Sequence, residues 1–185
     1  MDYNSVAEIY EEIDSTREKL LRAVEDLDDG QHGFRPSPER WSIAEIIEHL
    51  SIVEGQVARL LEKLLSKAEA GGHTRAEGST FAPVTIAEQV EQTREQKLTA
   101  PEQIRPTGVP ISDALAALRA SRTALRSMRP RLERLEGANV IFPHPAFGPI
   151  NIYQWLAFVG AHEARHLAQI EALKETLSVE RGAMN

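Results

Sequence analysis

Gly160-Ala161-His162-Glu163-Ala164-Arg165-His166-Leu167-Ala168-Gln169 decides how the chain is read. It carries two histidines four residues apart inside a segment whose apolar residues are Ile152, Trp155, Leu156, Val159, Leu167, Ile170, Leu173 and Leu177. Those positions recur at three- and four-residue steps, the signature of one helix face. At about 100° per residue, His166 projects near the centre of that face, His162 toward one edge and Glu163 toward the other. Burying three polar side chains there without partners costs on the order of several kcal/mol. The fold therefore has to supply something for them to bind. Asn151, answered by Gln154, is the expected cap of this helix.

Three more long amphipathic segments lie upstream. The first runs from about Ser5 to Leu27, with Val6, Ile9, Ile13, Leu20, Val24 and Leu27 as its stripe and Ser5/Glu8 at capping-box spacing. Asp28-Asp29-Gly30 reads as its stop, and His32 as a solvated loop residue. The second opens on the Ser42/Glu45 capping box and carries Ile43, Ile46, Ile47, Leu50, Val53, Val57, Leu60, Leu61 and Leu64 to about Glu69. His49 falls at the edge of that stripe. Glu45 lies one turn before it, either as the cap alone or as a partner for the imidazole, and Trp41 reads as a staple at the bundle end. The third spans about Ser112 to Leu135 around Leu115, Leu118, Leu125, Met128, Leu132 and Leu135, with Pro130 expected to kink or loosen its end. Arg122 falls on the apolar side of this helix, which means a carboxylate partner or an anionic ligand.

Between the second and third segments, residues 71–110 form a long connection. It is polar at first, then a thin helical pattern from Thr85 to Leu98, then a proline-bearing extended stretch from Ala100 to Pro110. Residues 139–150 read as a turn-rich loop in which His144 is held extended between two prolines. Four amphipathic helices make an all-α four-helix bundle the expected architecture, with residues 1–185 as a single domain.

Composition narrows the function. Apolar residues make up 42% of the chain, the formal net charge is −7 and there is no cysteine. The charge argues against a general phosphate-backbone binder, so no nucleic-acid partner is expected. Thiolate nucleophiles and cysteine-ligated metals are excluded. No run approaches the roughly 20 apolar residues of a membrane span, and the first residues carry no apolar signal region. A soluble, cytoplasmic protein is expected.

Bundles build metal sites from inward side chains on facing helices. His49 from one helix and His162 and His166 from another would make a facial three-nitrogen set with an open position, the pattern of catalytic rather than structural sites. Zinc or nickel suits such ligands best, with iron or manganese also chemically able. Against this stands a buried histidine pair satisfied by Glu163 alone. His162-Glu163-Ala164-Arg165-His166 also spells the H-E-x-x-H of zinc peptidases. The extended form would need Gly and His where this chain has Gln169 and Ala172. Little chain follows for a further ligand, and no strand is expected ahead of the motif to align a peptide.

Arg40-Trp41-Ser42-Ile43-Ala44-Glu45-Ile46-Ile47-Glu48-His49-Leu50, followed by His162-Glu163-Ala164-Arg165-His166-Leu167-Ala168-Gln169-Ile170, resembles the DinB/YfiT-like superfamily. Phe81-Ala82-Pro83 and the His144-Pro145-x-Phe147-Gly148 loop extend the resemblance over nearly the whole chain. It implies an up-down-down-up bundle, which needs the long crossover that residues 71–110 supply. It implies a divalent metal on His49, His162 and His166, and frequent homodimers. It also implies kinship with enzymes that use low-molecular-weight thiols. On that footing the expected function is a metal-dependent S-transferase acting on a small-molecule electrophile with a small thiol. A metal-dependent hydrolase and a non-catalytic bundle with a structural metal are the alternatives. Glu163 is then the expected catalytic proton shuttle or imidazole partner, with Gln169 as a second candidate partner.

Overall fold

The capping signals land where the helices begin. In the computed structural model, which describes residues 2–94 and 100–183, helix α1 is Val6–Val24 and the Glu8 N–H donates to Ser5 Oγ at 3.1 Å. A short helix α2, Asp29–Gly33, follows behind an Asp28/Gln31 capping box. Helix α3, Ile43–Ala70, starts on the reciprocal Ser42/Glu45 box. Helix α4 is Ala87–Arg94 and helix α5 is Ile111–Arg134, which continues through Pro130 to its end. Helix α6, Ile152–Ala183, is capped by Asn151, whose side chain accepts the N–H groups of Tyr153 and Gln154 while Gln154 accepts that of Asn151. The Leu98 end of the expected thin helix lies outside the described residues.

Cross-helix contacts fix the directions. Tyr10 Oη donates to the Leu125 carbonyl and Arg17 Nη1 to that of Leu118, so α1 and α5 run antiparallel. Arg122 reaches Glu54 and Arg131 reaches Glu62 and Glu69, so α3 and α5 run parallel. Lys174 Nζ donates to the Ala23 carbonyl near the far ends of α1 and α6, and those two are parallel as well. At Gly160 a Cβ would meet Ile13 Cγ2 at 3.0 Å, so glycine lets α6 lie close against α1. The result is the up-down-down-up bundle, and the parallel α3/α5 pair is what requires the 71–110 crossover. That crossover is pinned to the bundle by a Thr74–Leu135 bridge and by a two-residue strand β2, Val84–Thr85, paired antiparallel with β1, Asp2–Tyr3.

Two expectations need correction. Residues 139–150 are not only turn: β3, Ile141–His144, and β4, Gly148–Asn151, form an antiparallel ribbon that runs straight into α6. A strand therefore does precede the histidine motif. Its prolines read as breakers in the sequence, but Pro143 and Pro149 sit opposite each other, where two residues without an N–H share one pair of the ladder. His32 is not a solvated loop residue either. It ends α2 half-buried, with Nε2 3.2 Å from the Val24 carbonyl at the end of α1.

The apolar core comes in two parts. One gathers Ile9, Ile13, Val57, Leu61, Leu65, Leu125, Leu132, Leu156 and Val159. The other gathers Leu20, Val24, Ile43, Ile47, Leu50, Leu118, Ile170 and Leu173. Along each long helix a polar side chain marks the seam: Arg17, Glu54, Arg122 and Glu163, all buried.

Candidate metal centre

Near that seam, α3 and α6 bring His49, His162 and His166 together. One ring nitrogen from each lies within 4.8 Å of the other two. The ring centroids are 4.6 Å apart for His162–His166, 4.9 Å for His49–His166 and 5.2 Å for His49–His162. His49 and His166 are buried and His162 is half-buried. Trp41, expected only to staple the helix end, covers His49 at 4.9 Å, and Phe158 flanks His162 at 5.1 Å.

Hydrogen bonds set which nitrogen is free on two of the three rings. His49 Nδ1 lies 2.7 Å from the Ile104 carbonyl, which can only accept, so the proton sits on Nδ1 and Nε2 keeps its lone pair. His166 Nδ1 lies 2.8 Å from Gln169 Oε1, and the same logic leaves its Nε2 free. That Nε2 faces His162 Nε2 at 3.2 Å. Two imidazole nitrogens on a tetrahedral ion at about 2.0–2.1 Å would be about 3.4 Å apart. Burial is the main cause that lowers all three pKa values, His166 to about 3 and His162 well below its usual value. For His49 the Ile104 hydrogen bond pulls the other way without overcoming burial. Neutral imidazoles are the protonation state that metal ligation requires. The donor set fits a divalent transition ion.

Glu163 is placed differently from expectation. It is 1% exposed, and neither of its oxygens meets an imidazole nitrogen. Oε1 takes Arg17 Nε, and Oε2 takes Arg122 Nη2 at 3.0 Å. One step along the helix from His162 turns it toward α1 and α5 instead of α3. Burial raises its pKa against the pull of the two guanidiniums. It still lines a small pocket with His162, Glu54, Val57 and Phe158. The imidazole partners observed are the Ile104 carbonyl and Gln169. Glu45 stays in its cap and pairs with Arg35, away from His49. Arg122 does pair with carboxylates, Glu54, Glu163 and Asp14. Burial alone would lower its pKa, but Glu54 and Glu163 outweigh that and raise it.

His144 lies outside the three-histidine cluster, against Phe147, Trp155 and Phe158. Sequence reasoning missed Arg17 and Glu54. Arg17 had a signal, since it lies four residues after Ile13 and three before Leu20 on the apolar stripe of α1. The Ile104 carbonyl had none, because it is backbone brought in by the crossover.

A family model described as the DinB superfamily matches residues 12–170. The uncharacterized protein YuaE of Bacillus subtilis (strain 168) is 28% identical over 161 residues, covering 82% of this chain and 88% of that protein. Among solved structures, the four-helix bundle protein TT2238 is similar at a TM-score of 0.58 and 20% identity, over 90% of this chain and 98% of that one. YfiT from Bacillus subtilis is similar at a TM-score of 0.57 and 18% identity, over 94% of this chain and 87% of that one. YfiT is described as a probable metal-dependent hydrolase with an unusual four-helix bundle topology. At these identities the two structures bear on the fold alone. Among the described residues, no helix is long and apolar enough to cross a membrane.

Proposed function

The chain belongs to the DinB superfamily, and from that premise we propose that it is a metal-dependent enzyme working on small molecules at His49, His162 and His166. The observation that carries this reading is the His162–His166 contact, two ring nitrogens 3.2 Å apart beside a third imidazole. A divalent ion held by the three nitrogens would act as a Lewis acid and lower the pKa of a thiol or a water beside it. The chain's own residues supply the rest. Ile104 and Gln169 hold two of the rings in the ligating tautomer. Trp41 packs against His49 and Phe158 against His162. Glu163 in this reading anchors the histidine-bearing turn through Arg17 and Arg122, instead of shuttling a proton from the nucleophile.

The nucleophile we favour is a low-molecular-weight thiol transferred to a small electrophile. A second reading has water in its place, and the description of YfiT supports it. The experiment is metal analysis of the purified protein and of His49→Ala, His162→Ala and His166→Ala variants, followed by turnover assays. These pair a panel of small thiols with a generic aryl halide, and include an ester without thiol, with and without added zinc or nickel. Bound metal in the parent and its loss in all three variants are expected, with a thiol-dependent rate that follows the metal. Equal metal content across all four proteins would remove the site. A metal-dependent rate on the ester with none on the thiol panel would replace the transferase with the hydrolase.

A further inference from the structure

One buried carboxylate beside the histidines belongs neither to them nor to the charged seam. Glu48 is 2% exposed. Its Oε1 accepts the Thr107 N–H at 2.7 Å and the Thr107 hydroxyl at 2.8 Å. Its Oε2 accepts the N–H groups of Gly108 at 2.9 Å and Val109 at 3.2 Å. Four donors from three consecutive crossover residues wrap one carboxylate, and Gly108 makes the wrap with φ +90°, a conformation that side-chain-bearing residues resist. Pro106 and Pro110 bracket the turn and stiffen it. The next residue on α3 is His49, and its Nδ1–H is held by Ile104, three residues before Thr107. The crossover thus touches α3 at two adjacent side chains, a latch at Glu48 and a tautomer-setting carbonyl at His49.

We infer that Glu48 is a positioning residue for His49: by clamping Thr107, Gly108 and Val109 it holds the Ile104 carbonyl where it keeps the imidazole proton on Nδ1 and Nε2 free for a ligand. An imidazole left without that carbonyl distributes its proton between both nitrogens and turns about its side-chain bonds. A nitrogen ligand then pays part of its binding energy to reorder the ring. Outer partners of this kind typically change metal affinity by about 10–100-fold. The consequence for metal rests on the proposed metal centre. The consequence for the tautomer does not.

The test uses the full chain, labelled with nitrogen-15 and stripped of metal, with Glu48→Gln and Thr107→Val variants. Glu48→Gln keeps the shape but turns an acceptor into a donor facing N–H groups, and Thr107→Val removes one donor. Two-bond proton–nitrogen correlation spectra report the protonated nitrogen of each histidine. In the parent His49 is expected to carry its proton on Nδ1. In Glu48→Gln it is expected to become a mixture while His166, held by Gln169, does not change, and Thr107→Ser is expected to behave as the parent. Zinc affinity by chelator competition is expected to fall about 10–100-fold in Glu48→Gln, with a smaller loss in Thr107→Val. An unchanged His49 tautomer in both variants overturns the inference. So does a change spread equally over all three histidines, which would mean general loosening. If the tautomer changes as expected but the parent holds no zinc, the latch stands and the metal centre fails.

Discussion

Two polar clusters share the same turns of α6, and they are built on opposite terms. On one side of the helix, Glu163 joins Arg17, Glu54 and Arg122, one residue from each long helix of the bundle. There every charge is answered. Glu54 Oε1 takes Ser121 Oγ at 3.0 Å and Arg122 Nε at 3.3 Å, while Oε2 takes Arg17 and Arg122 Nη2. The remaining guanidinium nitrogens go to the Leu118 and Ile13 carbonyls and to Asp14 at the rim. On the other side, three imidazoles bring one ring nitrogen each together, and their hydrogen-bond partners are a carbonyl, an amide and one another, none of them charged. A saturated cluster specifies how helices meet. A cluster of converging neutral nitrogens offers a cation its ligands.

That contrast is broken most severely at the saturated cluster. Removing one partner from a buried ion-pair network leaves an opposite charge stranded, at a cost of about 3–5 kcal/mol. Arg122→Ala is expected to lower the unfolding free energy by that amount in urea titrations, because it leaves Glu54 and Glu163 sharing Arg17 alone, one negative charge in excess between the two halves of the core. His166→Ala in the metal-free protein is expected to cost clearly less, since its ring nitrogens anchor no other helix. Equal losses for the two substitutions would erase the distinction. Replacing Arg17, Glu54, Arg122 and Glu163 together by apolar residues of similar size is expected to recover much of the loss.

The open cluster is sharpened by a smaller effect. Gln169 touches His166 and no part of the ion-pair network. Gln169→Ala is therefore expected to leave the urea midpoint nearly unchanged while weakening zinc about tenfold, or about 1.4 kcal/mol. Competition with a chelator of known affinity measures it. A drop in stability without a drop in affinity would move Gln169 to the structural side.

How much of this could be read in advance follows from the range of each signal. Helix faces and caps are local, so Ser5, Ser42 and Asn151 could be recognised from their next four residues, while the topology was implied by the family resemblance, which the long crossover matched. The three histidines were legible because each sits on or beside an apolar stripe. Gln169 for His166 and a carboxylate for Arg122 were read as well, but the partner of Glu163 was not, because partnership across helices depends on the angle at which they meet. Glu163 and His162 are neighbours in sequence but face different helices, and spacing alone could not assign Glu163 to Arg17 over an imidazole. Glu48, one residue before His49, carried no signal of its own, because its partners are backbone groups of the crossover.

His144 carries the contrast to a single ring. Its Nδ1 accepts the N–H groups of Ala146 at 3.1 Å and Phe147 at 3.3 Å, so it is answered by backbone donors from its own turn. The ring stacks on Phe147 at 4.2 Å, and burial pushes its pKa down to about 4. The folded value lies below the unfolded value of about 6.5, so the unfolded chain takes the proton first. Stability from this group is complete above pH 6.5 and is lost as pH falls through the window toward 4. His144→Asn keeps an acceptor for the turn but cannot titrate. It is expected to reduce the slope of unfolding free energy against pH in that window by up to about 1.4 kcal/mol per pH unit, one proton's worth. Zinc affinity is expected to stay at the parent value, because the ring serves the β3–β4 turn. An unchanged slope would mean that the proton reaches Nδ1 in the folded protein as easily as in the unfolded one. The two backbone donors would then not be holding the ring, and His144 would belong with the open imidazoles and not with the saturated groups.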